Sequence, residues 1–171
     1  MAHTVQGKVF KVGNDINTDY IIPGKYVDIY EPEELAGHAF EGLGEEYPKM
    51  LKGHSIVVAG ENFGLGSARE QAPNALRGAG VKAIIARSFA RIFYRNTLNV
   101  GIAAIECPEA VEAVEQEDDV EIDLERGTIV TGDRTFAFVP FSGQVRDILA
   151  AGGMLPFLKK ELQLRSEEKR S

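Results

Sequence analysis

Cysteine is nearly absent from this chain of 171 residues, which carries only Cys107. A single thiol cannot form a disulfide within the chain, and it cannot supply the ligand set that a zinc or iron–sulfur site requires. The three histidines, His3, His38 and His54, are scattered without ligand spacing, so we assign no metal to this chain. The lone cysteine indicates a reducing compartment, and we expect the protein to lie in the cytoplasm.

Long apolar runs and an excess of positive charge are also missing. No apolar stretch approaches the roughly 20 residues that a membrane span needs, and residues 1–8 lack the apolar core of a secretory signal. The formal net charge is −7, which disfavours a nucleic-acid backbone or an anionic membrane as the main partner. We therefore expect one globular domain with its own core and a small-molecule ligand.

The most regular part of the sequence is residues 55–101, which alternates apolar runs with glycine-rich turns. The pattern predicts strand, turn, helix, strand and helix, and therefore an α/β fold. In such folds ligands bind at the carboxyl ends of the strands. The segments are a strand at 55–60, a glycine-rich turn at 61–70, a short helix at 71–80, a strand at 81–86 and a turn and helix at 87–96.

The flanking regions predict further short elements. Residues 120–139 carry three short apolar runs separated by glycine turns, which predicts an antiparallel meander. The other predictions are a strand at 5–12, a polar turn at 13–19, an exposed loop at 25–31, a helix from Pro32 to about residue 40, a strand at 99–106, and helices at 108–116 and 142–151.

Ser67 and Arg69 are the first candidates for chemistry. The run from Ser67 to Glu70 fits a capping box, in which Ser67 would only cap a helix. Pro73 disfavours a helix that begins so early, because it would remove a backbone hydrogen bond in the helix interior. If the helix begins near residue 72, Gly64 and Gly66 let the preceding loop approach a ligand closely. Amide donors beside an arginine then form a carboxylate or phosphate site.

A second basic pattern follows at Arg87, Arg91 and Arg95, which recur every four residues. This spacing predicts that the three side chains share one helical face. A solvated face and a face that presents arginines to a partner are both compatible with the pattern.

Three motifs, in this order along the chain, resemble one family. They are NDINTDYIIP at 14–23, GENFGLGSAREQA at 60–72 and ARSFARIFYRN at 86–96. Together they resemble the small-subunit family of the 3-isopropylmalate dehydratases, in the aconitase superfamily. The resemblance implies an α/β fold, namely the swivelling β/β/α domain that corresponds to the C-terminal domain of aconitase. It covers residues 1–158 and leaves residues 159–171 as a charged C-terminal tail.

The resemblance also implies a reaction, in which water is removed from a 2-hydroxy acid and added back at the neighbouring carbon. Ser67 falls on the serine whose alkoxide abstracts the substrate proton, and Arg69 on an arginine that binds a substrate carboxylate. Thr18 and Asp19 fall on a Thr-Asp pair near the active site. In that family the [4Fe–4S] cluster belongs to a separate large subunit. We therefore expect no cofactor on this chain, and we expect that large subunit and a small hydroxy acid as its partners.

The chain departs from the family pattern at two places. Ala68 and Gln71 stand where the family often has the second serine and the histidine of Gly-Ser-Ser-Arg-Glu-His. The loop after Pro23 reads YVDI, whereas homoaconitases carry Tyr-Leu-Arg-Thr. Tyr26, Val27 and Asp28 thus fall on positions that meet the distinguishing group of the substrate.

These departures favour one class of substrate. An aspartate at position 28 would repel a third carboxylate, so a substituted malate is favoured over a tricarboxylate. Among substituted malates we expect 3-isopropylmalate, with dimethylmalate or methylmalate dehydratase and homoaconitase as alternatives. A non-catalytic module that binds small acids or a partner protein is the alternative from another class. The presence of both Ser67 and Arg69 disfavours such a module.

Overall fold

A mixed β-sheet forms the centre of the computed structural model, which describes residues 4–171. The strands within these residues are β1 (Thr4–Lys11), β2 (His54–Ala59), β3 (Ala83–Ala86), β4 (Ala103–Glu106), β5 (Asp119–Asp123), β6 (Thr128–Thr131) and β7 (Arg134–Ala137). Their order in the sheet is β4-β3-β2-β1-β5-β6-β7. The first four run parallel, and β5, β6 and β7 continue from β1 as an antiparallel meander. The predicted α/β fold and the predicted meander are both confirmed.

Short helices connect the strands, and two more helices follow the last strand. They are α1 (Thr18–Ile21), α2 (Pro32–Ala36), α3 (Tyr47–Leu51), α4 (Gln71–Gly78), α5 (Arg91–Asn99), α6 (Pro108–Ala113), α7 (Gly143–Ala151) and α8 (Met154–Arg170). Single 3₁₀ turns lie at Gly24–Tyr26 and Glu41–Leu43. None of the helices in residues 4–171 combines the length and the apolar content needed to cross a membrane. Helix α8 continues through position 158, where the sequence predicts the charged tail to begin.

Both faces of the parallel strands are buried. In β2, Val57 contributes to a core that also contains Phe40 and Phe63. Its neighbours Ile56 and Val58 contribute to a second core on the opposite face, because side chains alternate along a strand. The unbroken apolar run in the sequence of β2 therefore reflects a strand that is covered on both sides.

Helix α5 begins at Arg91, later than the sequence pattern predicts. The Phe63 N–H donates to the Ser88 carbonyl at 3.0 Å, and the Ala90 N–H donates to the Phe63 carbonyl at 3.0 Å. These bonds hold residues 88–90 extended against the segment that follows β2, so the helix cannot form until they end.

The late start of α5 corrects the prediction for the three arginines. Arg87 lies before the helix, and its Nη2 is 2.8 Å from Oε1 of Glu112. The prediction that Arg87 shares a helical face with Arg91 and Arg95 is therefore wrong, and only the latter two are on α5.

Two other boundaries differ from the sequence prediction. Helix α2 ends at Ala36 and tight turns follow it. Phe40 lies outside the helix, in a left-handed conformation with φ of 62°, and donates its N–H to the Ile21 carbonyl at 2.8 Å. Strand β4 begins only at Ala103, because α5 continues to Asn99 and a glycine turn follows.

The segments that follow β1 and β2 lie side by side at the carboxyl ends of the parallel strands. The Gly64 N–H donates to the Ile16 carbonyl at 2.8 Å, and the Thr18 N–H donates to the Leu65 carbonyl at 2.9 Å. Gly64 has φ of +86°, and a Cβ atom at this position would overlap the ring of Phe93 in α5. The glycine is therefore required for the loop to pack against the helix.

We predict that Gly64→Ala lowers the free energy of unfolding by about 2–5 kcal/mol, because it adds steric overlap with Phe93 to left-handed strain. Gly80→Ala is the matched control, since Gly80 has φ of +92° and open space around it. The control should lose only the strain, about 1–2 kcal/mol. Urea unfolding measures both changes, and equal losses would contradict a packing role for Gly64.

Candidate active site

The glycine loop, residues 60–70, carries Ser67 between β2 and α4. Helix α4 begins at Gln71, and the residue at its N-cap is Glu70, which makes no side-chain capping bond. Ser67 therefore does not cap the helix, and the prediction that the helix begins near residue 72 is confirmed. The Ser67 side chain is exposed. Within residues 4–171 the backbone N–H groups of residues 66–69 donate no hydrogen bond, so the chain on both sides of this serine carries four amide donors without a partner.

Arg69 and Asp19 form an ion pair at the edge of this loop. Arg69 Nη1 lies 2.6 Å from Asp19 Oδ1, and the side chains are 23% and 62% exposed respectively. The carboxamide of Asn17 caps α1, because its Oδ1 accepts from the Asp19 N–H at 2.8 Å. Thr18, at 2% exposure, is buried beneath the pair. The structure thus brings the predicted Thr18 and Asp19 next to the predicted arginine.

A cavity of about 240 Å³ opens beside these residues. Thr18, Ala68 and Arg69 of the predicted site line one side of it, and Ser67 lies in the chain directly between two lining residues, Gly66 and Ala68. Residues 90–93 and Asn96 of the α5 region also line the cavity. The sequence did not predict that these residues belong to the site. The recurrence of Arg91 and Arg95 was the available signal for that region.

The loop at residues 24–31 adjoins the glycine loop from the other side. A Cβ atom on Gly24 would lie 3.3 Å from Arg69 Nη1, so the guanidinium packs directly against this turn. Val27 is 46% exposed, and Asp28 is exposed. In the part of the chain that the structure describes, the Asp28 side chain makes no hydrogen bond or ion pair, and no contact places it in the cavity.

Tyr26, a residue of this loop, is held in place by polar and aromatic contacts. Its hydroxyl donates to Glu41 Oε1 at 2.7 Å, and its ring stacks on His38 with centroids 3.8 Å apart. The second oxygen of Glu41 lies 2.6 Å from His38 Nδ1, and Lys25 Nζ is 3.7 Å from Oε1. The sequence predicts a substrate role for Tyr26 and gives no signal of this cluster.

The same contacts shift the titration of Tyr26 and Glu41. The hydrogen bond to Glu41 raises the pKa of the Tyr26 hydroxyl, because the carboxylate stabilises the protonated phenol. Burial acts to raise the pKa of Glu41, but the hydrogen bonds from Tyr26 and His38 outweigh it, so this pKa is lowered. The stabilisation from the carboxylate is present above its ordinary pKa and is lost as the pH falls through the lowered value. The stabilisation from the Tyr26 hydroxyl is present below its ordinary pKa and is lost as the pH rises through its raised pKa.

The described residues do not fit a resident metal or iron–sulfur cluster. Within residues 4–171 no group of three or more histidine, cysteine or acidic side chains is arranged to hold a metal ion. Cys107 is buried at 1% exposure, and burial raises the pKa of its thiol. The thiol therefore stays protonated near neutral pH and lies in a core rather than at the site.

The geometry places Arg69, Asp19 and a cavity together at the strand ends of an α/β domain, and comparison with known proteins gives the class of this domain. Residues 15–110 match the family described as the Aconitase C-terminal domain. A chain from Methanocaldococcus jannaschii, solved as 3-isopropylmalate dehydratase, is 44% identical and superposes with a TM-score of 0.88, covering 96% of this chain and 99% of that one.

Curated relatives extend this match over nearly the whole chain. The 3-isopropylmalate dehydratase small subunit of Caldicellulosiruptor saccharolyticus is 46% identical, covering 92% of each chain. Small subunit 1 of Archaeoglobus fulgidus is 47% identical, over 90% of this chain and 96% of that one. The isopropylmalate/citramalate isomerase small subunit of M. jannaschii is 43% identical, over 95% and 98%. The chain belongs to the aconitase C-terminal domain family and, within it, to the 3-isopropylmalate dehydratase small subunits. The resemblance found from the three sequence motifs is confirmed.

We predict that Glu41→Met lowers the pKa of Tyr26 toward its ordinary range, because the variant removes both the acceptor and its charge. NMR of ring-labelled tyrosine follows the titration of Tyr26 in each protein. Glu45→Met serves as the control, since Glu45 is exposed and makes no side-chain hydrogen bond within residues 4–171. The assignment of the shift to Glu41 would be wrong if Tyr26 titrated alike in the wild type and in Glu41→Met.

Proposed function

We propose that this chain is the small subunit of a hydro-lyase that isomerises 3-isopropylmalate by dehydration and rehydration, as in leucine biosynthesis. The observation that carries the proposal is the glycine loop, which presents Ser67 and Arg69 two residues apart beside a cavity and four free amides. It occurs in a chain that is 43–47% identical to relatives named as small subunits of such enzymes.

We assign Ser67 as the catalytic base, which accepts a proton from the substrate. A serine hydroxyl ionises far above neutral pH, so its alkoxide needs strong stabilisation before it can accept a proton from carbon. The free N–H groups of residues 66–69 and the guanidinium of Arg69 are the groups that supply it, since preorganised donors stabilise developing negative charge.

Arg69 binds a carboxylate of the substrate in this proposal. A guanidinium has five N–H donors, and the bond from Nη1 to Asp19 uses only one of them. Asp19 thus orients the arginine, and the remaining donors are available to the substrate. Ala68 presents a methyl group to the cavity where relatives often have a hydroxyl. Thr18, which is buried, also lines the cavity.

The exposure of Ser67 supports the need for a large subunit. Amide donors and charges act strongly only where water is excluded, and Ser67 is open to solvent in this chain. We therefore assign the covering surface and the [4Fe–4S] cluster to the large subunit, which the family name implies. The cytoplasm, expected from the lone Cys107, is the compartment of the complex in this proposal.

The 24–31 loop sets the choice of acid. Gly24, at the start of this loop, packs against Arg69, and we assign Tyr26, Val27 and Asp28 of the same loop to the substrate. The exposed Asp28 adds negative charge to the loop. A third carboxylate is therefore disfavoured. One relative is named an isopropylmalate/citramalate isomerase small subunit, and this name makes a methyl-substituted malate the second candidate substrate.

We predict that Ser67→Ala lowers kcat of the complex with its large subunit by about 10²–10⁴-fold, because the proton acceptor is lost. The melting temperature should not change, since the hydroxyl makes no hydrogen bond within the described residues 4–171. Steady-state rates and melting curves of the same preparation test both statements.

The matched control for this prediction is Ser142→Ala. Ser142 caps α7 by accepting from the Val145 N–H, so its loss should lower stability by about 0.5–1 kcal/mol and leave the rate unchanged. Full activity of Ser67→Ala would exclude Ser67 as the base.

We predict that Asp28→Arg raises the ratio of kcat/KM for homoaconitate to that for 3-isopropylmalate by on the order of tenfold or more, because it replaces repulsion of a third carboxylate by attraction. Glu33→Arg makes the same change of charge on the exposed surface of α2 and is the control. An unchanged ratio in Asp28→Arg would mean that the large subunit sets specificity.

A further inference from the structure

We propose that Gln71 is a positioning residue that fixes the 24–31 loop beside the site by holding the carbonyl of Val27. The proposal rests on the role proposed above for Tyr26, Val27 and Asp28 at the substrate. It assigns a task to a residue that contacts neither the cavity nor the proposed base.

The bond from Gln71 is short and partly shielded from water. Nε2 of Gln71 donates to the Val27 carbonyl oxygen at 2.7 Å, and Gln71 is only 8% exposed. A buried amide that loses its partner keeps the cost of its desolvation, so this contact strongly favours one loop position. Without it, the Val27 carbonyl would have to turn toward solvent.

The same segment touches the loop at a second point. Arg69 precedes Gln71 by two residues, and its guanidinium packs against Gly24 at the start of the loop. The carboxylate-binding side chain and the anchor of the loop therefore belong to one short stretch of chain. A shift of that stretch therefore moves both, which couples the position of the loop to that of Arg69.

Contacts of Tyr26 hold the loop at a further point. The Tyr26 hydroxyl is bound to Glu41, and its ring stacks on His38. The backbone at residues 26–27 is thus held from both sides. Asp28, the next residue, is exposed and makes no side-chain hydrogen bond in residues 4–171, so the Val27 anchor fixes the backbone position from which its side chain extends.

Amide hydrogen exchange in the full chain tests the anchor directly. The N–H groups of Tyr26, Val27 and Ile29 donate to the carbonyls of Pro23, Gly24 and Tyr26 respectively, and they exchange only when these turns open. Gln71→Met preserves the length of the side chain and removes the donor. We expect these amides to exchange about fivefold faster in the variant. Gln6→Met, which removes an amide that donates to Glu121 at a distance from the site, should leave them unchanged.

Two further variants distinguish the loss of the hydrogen-bond donor from misfolding of the variant protein. Gln71→Glu keeps the size and places an acceptor against a carbonyl, and it should accelerate exchange at least as much. Gln71→His retains a ring N–H that can donate, and it should restore slow exchange in part. In the complex, Gln71→Met should lower the selectivity for 3-isopropylmalate over methylmalate by about fivefold, with kcat for 3-isopropylmalate affected less than KM.

The outcomes separate the anchor from the proposed function. Faster exchange confined to the loop, with reduced selectivity, supports the proposal. Unchanged exchange in both Gln71→Met and Gln71→Glu overturns it, whatever the activities are. Faster exchange with unchanged selectivity supports the anchor and overturns the assignment of Tyr26, Val27 and Asp28 to the substrate.

Discussion

The absence of a side chain at Gly64 is the constraint on which the site depends. It lets the loop after β2 lie against Phe93 while its backbone bonds to the segment after β1. The loop is thereby fixed on two sides before it reaches its functional residues. Ser67 and Arg69 project from this fixed point, and a serine and an arginine held in this way lose little entropy when they bind a ligand.

The isolated chain holds only part of the chemistry that its relatives are named for. It supplies oriented donors, a guanidinium with its carboxylate partner, and a loop held beside them. In this structure water still competes for the donors around Ser67, so their field is screened. The site gains its full electrostatic strength only where a second surface covers it, and this makes catalysis a property of the complex in our proposal.

The sequence was sufficient for the existence and chain order of the strands, the meander and the start of α4, because apolar periodicity, glycine turns and Pro73 act locally. It was insufficient for the start of β4, which α5 delays. It was insufficient for the start of α5, which depends on bonds between Phe63 and residues 88–90. It also missed the Tyr26–Glu41 bond, since contacts across fifteen residues leave no periodic trace. Ser67 and Arg69 could be found as candidate site residues from a sequence motif. The placement of Asp28 relative to the cavity could not be found from the sequence.

The position of β1 in the sheet has a consequence for folding. This strand lies between β2, its parallel partner from His54 onward, and β5, its antiparallel partner up to Asp123. The strand that joins the two halves of the sheet therefore waits for segments made much later during synthesis. Pairings of such long sequence separation are slow to form. Until residue 123 has left the ribosome, β1 has at least one open edge, which can pair with a wrong partner.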